Sequence, residues 1–183
     1  EVKNRFLPRM YSQYMSKILK SAQFMTEKTG GSDVGQIELE AKYEDGEWRL
    51  YGDKWFCSCA DGDVALLLAR PEGAVDGTAG LGLFALPRHL EDGSRNKYRI
   101  VRLKDKLGSK SMASGEIVFE GAVAYPLGGV GPGKNPGLKQ MMDQVNMSRL
   151  SHGVRAAAMM RRCLNEALAV ARNREAFGEI IIE

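Results

Sequence analysis

Cysteine is scarce in this sequence, and its number is odd. The chain has three cysteines in 183 residues, which argues against a framework of paired disulfides and fits a reducing compartment such as the cytoplasm. Cys57 and Cys59 stand two residues apart in a strand-like segment, so we expect both on one face, packed in a core. A metal site, the alternative, would need further ligands, and the two histidines, His89 and His152, stand alone.

Long apolar runs and a strong net charge are also absent. No apolar run approaches the ~18 residues of a membrane-spanning helix, so the sequence predicts no membrane span. The net charge of +3 is too small to indicate nucleic acid or an acidic membrane as a partner. The hydrophobic content of 44% and the charged content of 27% are those of an ordinary globular domain. Because the sequence begins at Glu1 and stops within the apolar run 179–183, we expect a fragment of a longer protein.

The middle of the sequence is organised in short segments of period two. Ile37, Leu39, Ala41 and Tyr43 alternate with polar residues, as in a half-buried strand. Turn residues separate further segments of this kind, and we expect Gly52–Asp53 to be one of the turns. Seven strands are predicted over 37–43, 47–51, 54–59, 63–70, 80–86, 98–103 and 116–124. Such a series favours an antiparallel β-barrel or sandwich.

The last part of the sequence is helical. From Gly137 to about Arg174, apolar residues recur at spacings of three and four, which predicts one long helix. The preceding segment, Gly128–Pro136, nearly matches a phosphate-binding P-loop, but Asn135 stands where that loop needs Ser or Thr. We therefore interpret it as a linker. The predicted class is α+β, with a linker or tail over 1–22, a β-domain over 23–132, and the first helix of a helical domain over 133–183.

One segment is dense in groups that could hold a phosphate or the polar edge of a ring. Thr26, Thr29 and Ser32 offer hydroxyls, and Gly30–Gly31 allows the backbone to approach a ligand closely. By composition alone, the segment could equally be a simple turn between two elements. The order of its residues is more specific than its composition.

Residues 25–34 read Met-Thr-Glu-x-x-Gly-Gly-Ser-Asp-Val, which closely resembles the flavin-binding signature of the acyl-CoA dehydrogenase family. Two further places strengthen the resemblance. Phe56 and Ser58 stand where the family commonly has a Trp that packs on the flavin and a Thr whose hydroxyl lies near flavin N5. Arg174 to Gly178 matches the Arg-x-x-Phe-Gly segment, whose arginine pairs with the cofactor pyrophosphate of a neighbouring subunit. The alternatives are a core role for Phe56 and an exposed basic helix end for Arg174.

The resemblance covers essentially the whole chain and implies bound FAD, a homotetramer of helical–β–helical subunits, and α,β-dehydrogenation of an acyl-CoA. The implied cofactor-binding residues are Met25, Thr26, Gly31, Ser32, Phe56, Cys57, Ser58, Arg174 and Phe177. Ser32 and Arg149 are the implied substrate-binding residues. The catalytic glutamate of most members is expected beyond residue 183, so no catalytic residue is assigned within the chain.

Two departures from the family pattern put ordinary acyl-CoA binding in doubt. Met112 aligns with a serine that contacts CoA, and Ser148 occupies an alternative position for the catalytic base. The segments 25–28, 54–56, 103–108 and 159–162 favour the alkylation-response branch of the family. That branch implies a second function, DNA binding with weak dehydrogenase activity, through regions outside this chain. Four arginines could add to that surface, although a solvated basic face is the simpler interpretation: Arg155, Arg161, Arg162 and Arg172.

Overall fold

The first part of the chain folds as a closed ring of strands, and a long helix follows it. The computed structural model describes residues 2–29 and 31–182. The elements are α1 (Val2–Met10), β1 (Ser21–Phe24), β2 (Glu40–Glu44), β3 (Glu47–Ser58), β4 (Val64–Pro71), β5 (Gly82–Pro87), β6 (Tyr98–Leu103), β7 (Ser114–Pro126), α2 (Gly137–Asn173), β8 (Glu175–Ala176) and β9 (Glu179–Ile180). The predicted α+β class with a barrel-like β-region is confirmed.

Pairing between non-neighbouring strands closes the ring. β2 pairs with β3, β3 with β7, β7 with β5, and β5 with β4, and β4 returns to β2. β1 extends the sheet beside β4, and β6 lies beside β7. Most pairs are antiparallel, as predicted, but β1–β4 and β2–β4 are parallel. β1 was not predicted, because four residues without clear alternation carry little signal.

The predicted turn at Gly52–Asp53 is wrong. Gly52 and Asp53 lie inside β3, opposite Phe119 and Val118 of β7. Gly52 has a φ of +130°, and a Cβ there would come within 3.1 Å of a Leu39 methyl carbon. The glycine therefore allows Leu39 to pack closely against the backbone of one long strand, and it does not reverse the chain.

The ring encloses a core of aliphatic and aromatic side chains. Phe84 is fully buried, and its ring meets that of Trp48 edge-on at a centroid distance of 5.6 Å. Further fully buried residues are Leu39, Ala41, Leu50, Leu67, Leu68, Leu81 and Ile117. Every strand that supplies these residues contributes to one core, so the β-region buries its own apolar surface.

The N-terminal segment packs outside the ring. The α1 residue Phe6 is buried against Leu19, Val64 and Ala85. The Leu19 N–H donates to the Arg9 carbonyl at 3.3 Å, which folds the segment back on itself. This part of the chain therefore belongs to the same compact unit as the strands, which extends to Met141.

The glycine-rich segment before α2 is fixed by hydrogen bonds. Asn135 is buried, and its side-chain amide donates to the carbonyls of Gly80, Gly131 and Gly133. Its Oδ1 accepts the Gly131 N–H at 2.9 Å. The Gly137 N–H at the start of α2 donates to the Leu81 carbonyl at 2.9 Å. Asn135 thus has a structural role, holding the loop through its hydrogen bonds, which speaks against a P-loop. The segment is a packed loop and not the expected linker.

The second compact unit starts at Met142 and contains the rest of α2 and the β8–β9 hairpin. The predicted long helix is confirmed, and it is continuous through Gly153. Several of its large apolar side chains are mostly exposed: Met147, Leu150, Val154, Met159, Met160, Leu164 and Val170. Among the described residues, no helix is both long enough and sufficiently apolar to span a bilayer.

Candidate functional site

A surface depression of about 380 Å³ brings four of the predicted cofactor-binding residues together. Met25 and Thr26 follow β1, whereas Phe56 and Ser58 come from the end of β3, about 30 positions later in the chain. The full lining is Ser21, Ala22, Gln23, Met25, Thr26, Phe56, Ser58, Cys59 and Met112. The depression combines thioethers, hydroxyls and an aromatic ring in one place.

An irregularity in β3 turns the aromatic residues outward. Lys54 is opposite Ile117 of β7, but Cys57 is opposite Gly115, so Trp55 and Phe56 together face one β7 residue, Glu116. This arrangement is a β-bulge, in which an extra residue interrupts the alternation of faces. As a result Lys54 is fully buried, whereas Phe56 is 52% exposed and Ser58 is exposed beside it. The expectation that Phe56 and Ser58 share a face agrees with their joint lining of the depression.

A lysine ammonium lies against both aromatic rings of the bulge, those of Trp55 and Phe56. The Lys104 ammonium lies 3.2 Å from the Trp55 ring centroid and 4.6 Å from that of Phe56. The same ammonium donates to Glu116 Oε1 at 2.6 Å, as does the Arg102 Nε. Burial opposes ionisation of Glu116, but the hydrogen bonds from Lys104 and Arg102 outweigh it and hold the Glu116 pKa below its ordinary value. The cluster fixes the rings through cation–π contacts and charge-assisted hydrogen bonds.

A buried ion pair, Glu27 with Lys54, lies beneath the Met25–Thr26 segment. The Lys54 Nζ is 2.6 Å from Glu27 Oε1, and the two side chains are 0% and 3% exposed. Lys54 also donates to the Met25 carbonyl at 3.2 Å, and the Trp55 N–H donates to the Thr26 carbonyl at 2.8 Å. Burial lowers the pKa of Lys54, while the Glu27 carboxylate opposes that change.

Sequence reasoning assigned no role to Glu27 or Lys54, although both stood within the quoted motifs. Glu27 Oε2 accepts the Glu38 N–H at 2.7 Å, and Oε1 accepts the Leu39 N–H at 3.3 Å. These contacts satisfy both carboxylate oxygens in the interior, as a buried charge requires. One signal in the sequence pointed to Lys54. It is a charged residue in a predicted strand, and regular alternation assigns it to the same face as Phe56.

The predicted glycine and serine contacts lie just beyond Thr26. A Cβ on Gly31 would come within 3.1 Å of the Thr26 Oγ1, so a larger residue would crowd that hydroxyl. Ser32 is exposed, and the Asp33 carboxylate accepts the Gly35 N–H at 3.2 Å, which shapes the turn. Gly30 lies outside the described residues.

The Ser58 hydroxyl belongs to a small polar chain at the edge of the depression. Its Oγ lies 3.2 Å from the Ser114 Oγ, which accepts from the Lys106 ammonium at 3.1 Å. Lys106 also donates to the Met112 carbonyl at 2.7 Å. Met112, which lines the depression and is 48% exposed, is therefore held through its own carbonyl by the Lys106 side chain.

The two cysteines near the depression have different surroundings. Cys57 is fully buried, and burial raises the pKa of its thiol to about 12. Cys59 follows β3 with a φ of +55° and lines the depression. The expectation that both share one face in a core is wrong, because the chain leaves the strand after Ser58. The predicted cofactor residue Cys57 does not line the depression.

The three remaining predicted residues belong to the second compact unit. Arg149 is exposed on α2 and donates to the Asn146 side chain at 3.3 Å. Arg174 follows the helix and is also exposed. Phe177, fully exposed with a φ of +57°, forms the tight turn between β8 and β9 together with Gly178. Their cofactor and substrate roles stay predictions.

The residues at the depression fit a planar heteroaromatic group such as a flavin. The exposed Phe56 ring offers a face for stacking, and the Thr26 and Ser58 hydroxyls offer donors or acceptors at its rim. The space beside the Thr26 hydroxyl exists because residue 31 has no Cβ. An apolar ring face and hydroxyl groups in one depression match the apolar face and the polar edge of a flavin ring.

Known proteins resemble both parts of the chain. The family profile described as acyl-CoA dehydrogenase, middle domain, matches residues 22–122, and that of the acyl-CoA dehydrogenase C-terminal domain matches residues 135–183. AidB of Escherichia coli is 41% identical over 87% of the chain. Acyl-CoA dehydrogenase family member 11 of Caenorhabditis elegans is 38% identical over 93% of it.

Solved structures agree with the sequence comparisons. The crystal structure of Caenorhabditis elegans ACDH-11 in complex with C11-CoA superposes with a TM-score of 0.82 and 37% identity, covering 94% of this chain and 30% of that one. The chain spans 28% of the length of both AidB and family member 11. With the middle-domain profile matching more than half of its residues, the chain belongs to the acyl-CoA dehydrogenase family.

Proposed function

We propose that this chain forms the flavin-binding part of an FAD-dependent acyl-CoA dehydrogenase that acts in fatty acid metabolism. The observation that carries the proposal is the common lining of one depression by Met25, Thr26, Phe56 and Ser58. These residues come from two separate motifs, and a shared position at one concave surface is what a cofactor site requires. Membership of the family supports the same cofactor.

The proposed reaction removes a proton from the α-carbon of an acyl thioester and a hydride from its β-carbon. FAD supplies the acceptor for that hydride at N5 and thus carries the difficult chemistry. The chain contributes binding and orientation: Phe56 would pack on the ring, and the Thr26 and Ser58 hydroxyls would bind its polar edge. Ser32 and Arg149 are proposed to contact substrate, and Arg174 and Phe177 to contact the cofactor.

The direct test removes the two hydroxyls while preserving shape as far as possible. The double variant Thr26→Val/Ser58→Ala should bind FAD more weakly, because each lost hydrogen bond contributes about 1 kcal/mol. Thr29→Val is the matched control, since Thr29 does not line the depression. Affinity is measured by titrating flavin-free full-length protein with FAD. Unchanged affinity and unchanged redox potential in the double variant would contradict the proposed site.

The position of Met112 leads to a separate prediction about the affinity for acyl-CoA substrates. Its thioether lines the depression at 48% exposure, where the family pattern has a serine. We expect weak binding of straight-chain acyl-CoAs and slow flavin bleaching, and partial recovery in Met112→Ser. A panel of acyl-CoAs of increasing length, with flavin absorbance as the readout, tests this. Micromolar affinity with fast bleaching in the parent protein would show that Met112 does not matter.

A second candidate function is DNA binding by an AidB-like flavoprotein with weak dehydrogenase activity. The observations that favour it are the similarity to AidB and the exposed arginines on α2. One of these, Arg162, already pairs with Glu166 at 2.6 Å, so the local net charge is modest. DNA affinity that falls steeply with salt, and that weakens in Arg155→Ala/Arg161→Ala, would favour this function. Rapid turnover of acyl-CoA without DNA affinity would favour the first.

The proposed assembly is a homotetramer, and the proposed compartment is the cytoplasm. The large apolar side chains exposed on α2 support an assembly, because exposed patches of this kind mark interaction surfaces. The three free thiols, Cys57, Cys59 and Cys163, fit a reducing compartment. Sedimentation of the full-length protein tests the tetramer.

A further inference from the structure

The buried Glu27–Lys54 pair also bonds backbone groups of neighbouring segments. Lys54 bonds Glu27 at 2.6 Å and also donates to the Met25 carbonyl at 3.2 Å. Glu27 in turn accepts the N–H groups of Glu38 and Leu39. The pair therefore joins the Met25–Thr26 segment, strand β3 and the approach to β2 at one buried point.

The hydrogen bond from Lys54 to the Met25 carbonyl fixes the orientation of one peptide group. The peptide bond between Met25 and Thr26 is trans, as are all those described. In a planar trans peptide the C=O and the N–H point in opposite directions. Because the Met25 carbonyl is directed at the Lys54 ammonium, the Thr26 N–H is directed away from it. The Thr26 carbonyl is fixed as well, by the Trp55 N–H at 2.8 Å.

We propose that Lys54 and Glu27 are positioning residues, which hold the Met25–Thr26 backbone in the orientation that the depression requires for its ligand. Lys54 is the acting member, because its ammonium bonds the Met25 carbonyl, and Glu27 holds that ammonium in place through the 2.6 Å bond. This inference rests on the proposed function in one respect only: the ligand is taken to be a flavin. The positioning of the segment itself is a property of the protein without its cofactor.

Stability and positioning respond differently to neutralising the pair. A buried charge that loses its partner strongly destabilises a protein, whereas replacement of both members by neutral residues is often tolerated. Lys54→Met alone leaves Glu27 unpaired and tests mainly stability. Glu27→Gln/Lys54→Met removes both charges and keeps one acceptor oxygen for the Glu38 N–H, at the cost of the longer bond from Leu39, and it lacks the Lys54 donor to the Met25 carbonyl. If the pair only stabilises the fold, the double variant regains both stability and flavin binding; if it positions the segment, only stability returns.

The experiment compares full-length parent protein, the double variant and Lys42→Met. Lys42 is a matched control, because it pairs with Glu40 at 3.3 Å on the surface, where both side chains are exposed. We expect the double variant to bind FAD at least about tenfold and at most about a hundredfold more weakly than the parent, because the energy of one hydrogen bond from a charged donor limits how far the segment can shift from its binding orientation. Lys42→Met should bind FAD like the parent. Parent-like affinity in the double variant overturns the proposal.

Hydrogen exchange in the flavin-free proteins separates this inference from the proposed function. The Trp55 amide, which donates to the Thr26 carbonyl at 2.8 Å, should exchange at least about tenfold faster in the double variant, because the segment opens more often, and at the parent rate in Lys42→Met. Unchanged exchange in the double variant overturns the positioning role. A parent protein that binds no FAD would refute the proposed function, while the exchange comparison would still decide whether Lys54 and Glu27 hold the segment.

Discussion

The two compact units of the chain bury their apolar side chains to very different extents. In the β-unit, residues such as Leu50, Leu67 and Phe84 are completely buried by their own strands. In α2 beyond Met141, residues such as Met159 and Leu164 are more than half exposed. The comparison teaches that the strands form a complete core, whereas the helix presents an apolar surface that no part of the described chain covers within its own unit.

The largest expected effect comes from the β-core. Phe84→Ala should lower the free energy of unfolding by about 3–5 kcal/mol, because it leaves a cavity in a closed ring. In the isolated 183-residue chain, Leu164→Ala should change that free energy by no more than about 0.5 kcal/mol, as at other exposed positions. Urea unfolding followed by Trp48 fluorescence measures the first, and helix content by circular dichroism follows the second. Equal effects would remove the distinction between the units.

The same helical variant sharpens the comparison in the full-length protein. If a neighbouring segment or a second copy covers α2, Leu164→Ala should cost about 2–5 kcal/mol there, as for a buried leucine. The exposed Leu107, which lies in the loop after β6, provides the control. A loss that stays small in the full-length protein would show that Leu164 remains in water.

A medium effect is expected at the junction of the two units. The composition of the segment 128–136 suggests a flexible linker, but Asn135 bonds it to the β-unit. We expect protease to cut the isolated chain first within α2, after Arg149 or Arg155, and not after Lys134. Asn135→Ala should cost about 1–3 kcal/mol, because buried carbonyls lose their donor, and should let trypsin cut after the exposed Lys134 by loosening the loop. Asn146→Ala, on the exposed helix surface, should leave the cutting order unchanged.

The smallest effect concerns the pH dependence of the β-unit near Trp55. The pKa of Glu116 is lower in the folded protein than its ordinary value of 4.5. Its stabilising contribution is therefore complete above that value and is lost as the pH falls through the folded pKa. In a Trp48→Phe background, Trp55 fluorescence should change in this range as Lys104 loses its carboxylate partner. Glu116→Gln should abolish the transition, and a transition that persists would assign it to another group.

Much of this fold could be predicted because its signals are local. Alternation in 37–41 reflects one buried face, although the strand itself begins only at Glu40 and Tyr43 is 63% exposed, and the three- and four-residue spacing in α2 reflects one apolar stripe. The joint position of Phe56 and Ser58 followed from the same rule. The motif around Met25 and Thr26 was visible because its order is specific, although the cofactor contacts that it implies stay predictions.

The features that could not be predicted depend on partners distant in the sequence. Lys54 carries a charge, so nothing local indicates that it is buried or that Glu27 accompanies it into the interior. The bulge at Trp55–Phe56 is defined only by the strand opposite it. Asn135 looked like a defect in a phosphate-binding loop because the partner that joins it to the β-region, the Gly80 carbonyl, lies 55 positions away.

The extra residue in β3 also bears on how such a site could arise. Regular alternation cannot turn two neighbouring side chains to the same side of a strand, yet the Lys104 ammonium lies over the rings of both Trp55 and Phe56. Lys54 and Cys57 point inward on either side of this pair. Deletion of Trp55 would place Lys54 and Cys57 two positions apart, so that both would still face inward in a regular strand. A single insertion or deletion of one codon could add or remove the cation-bearing ring without disturbing the core.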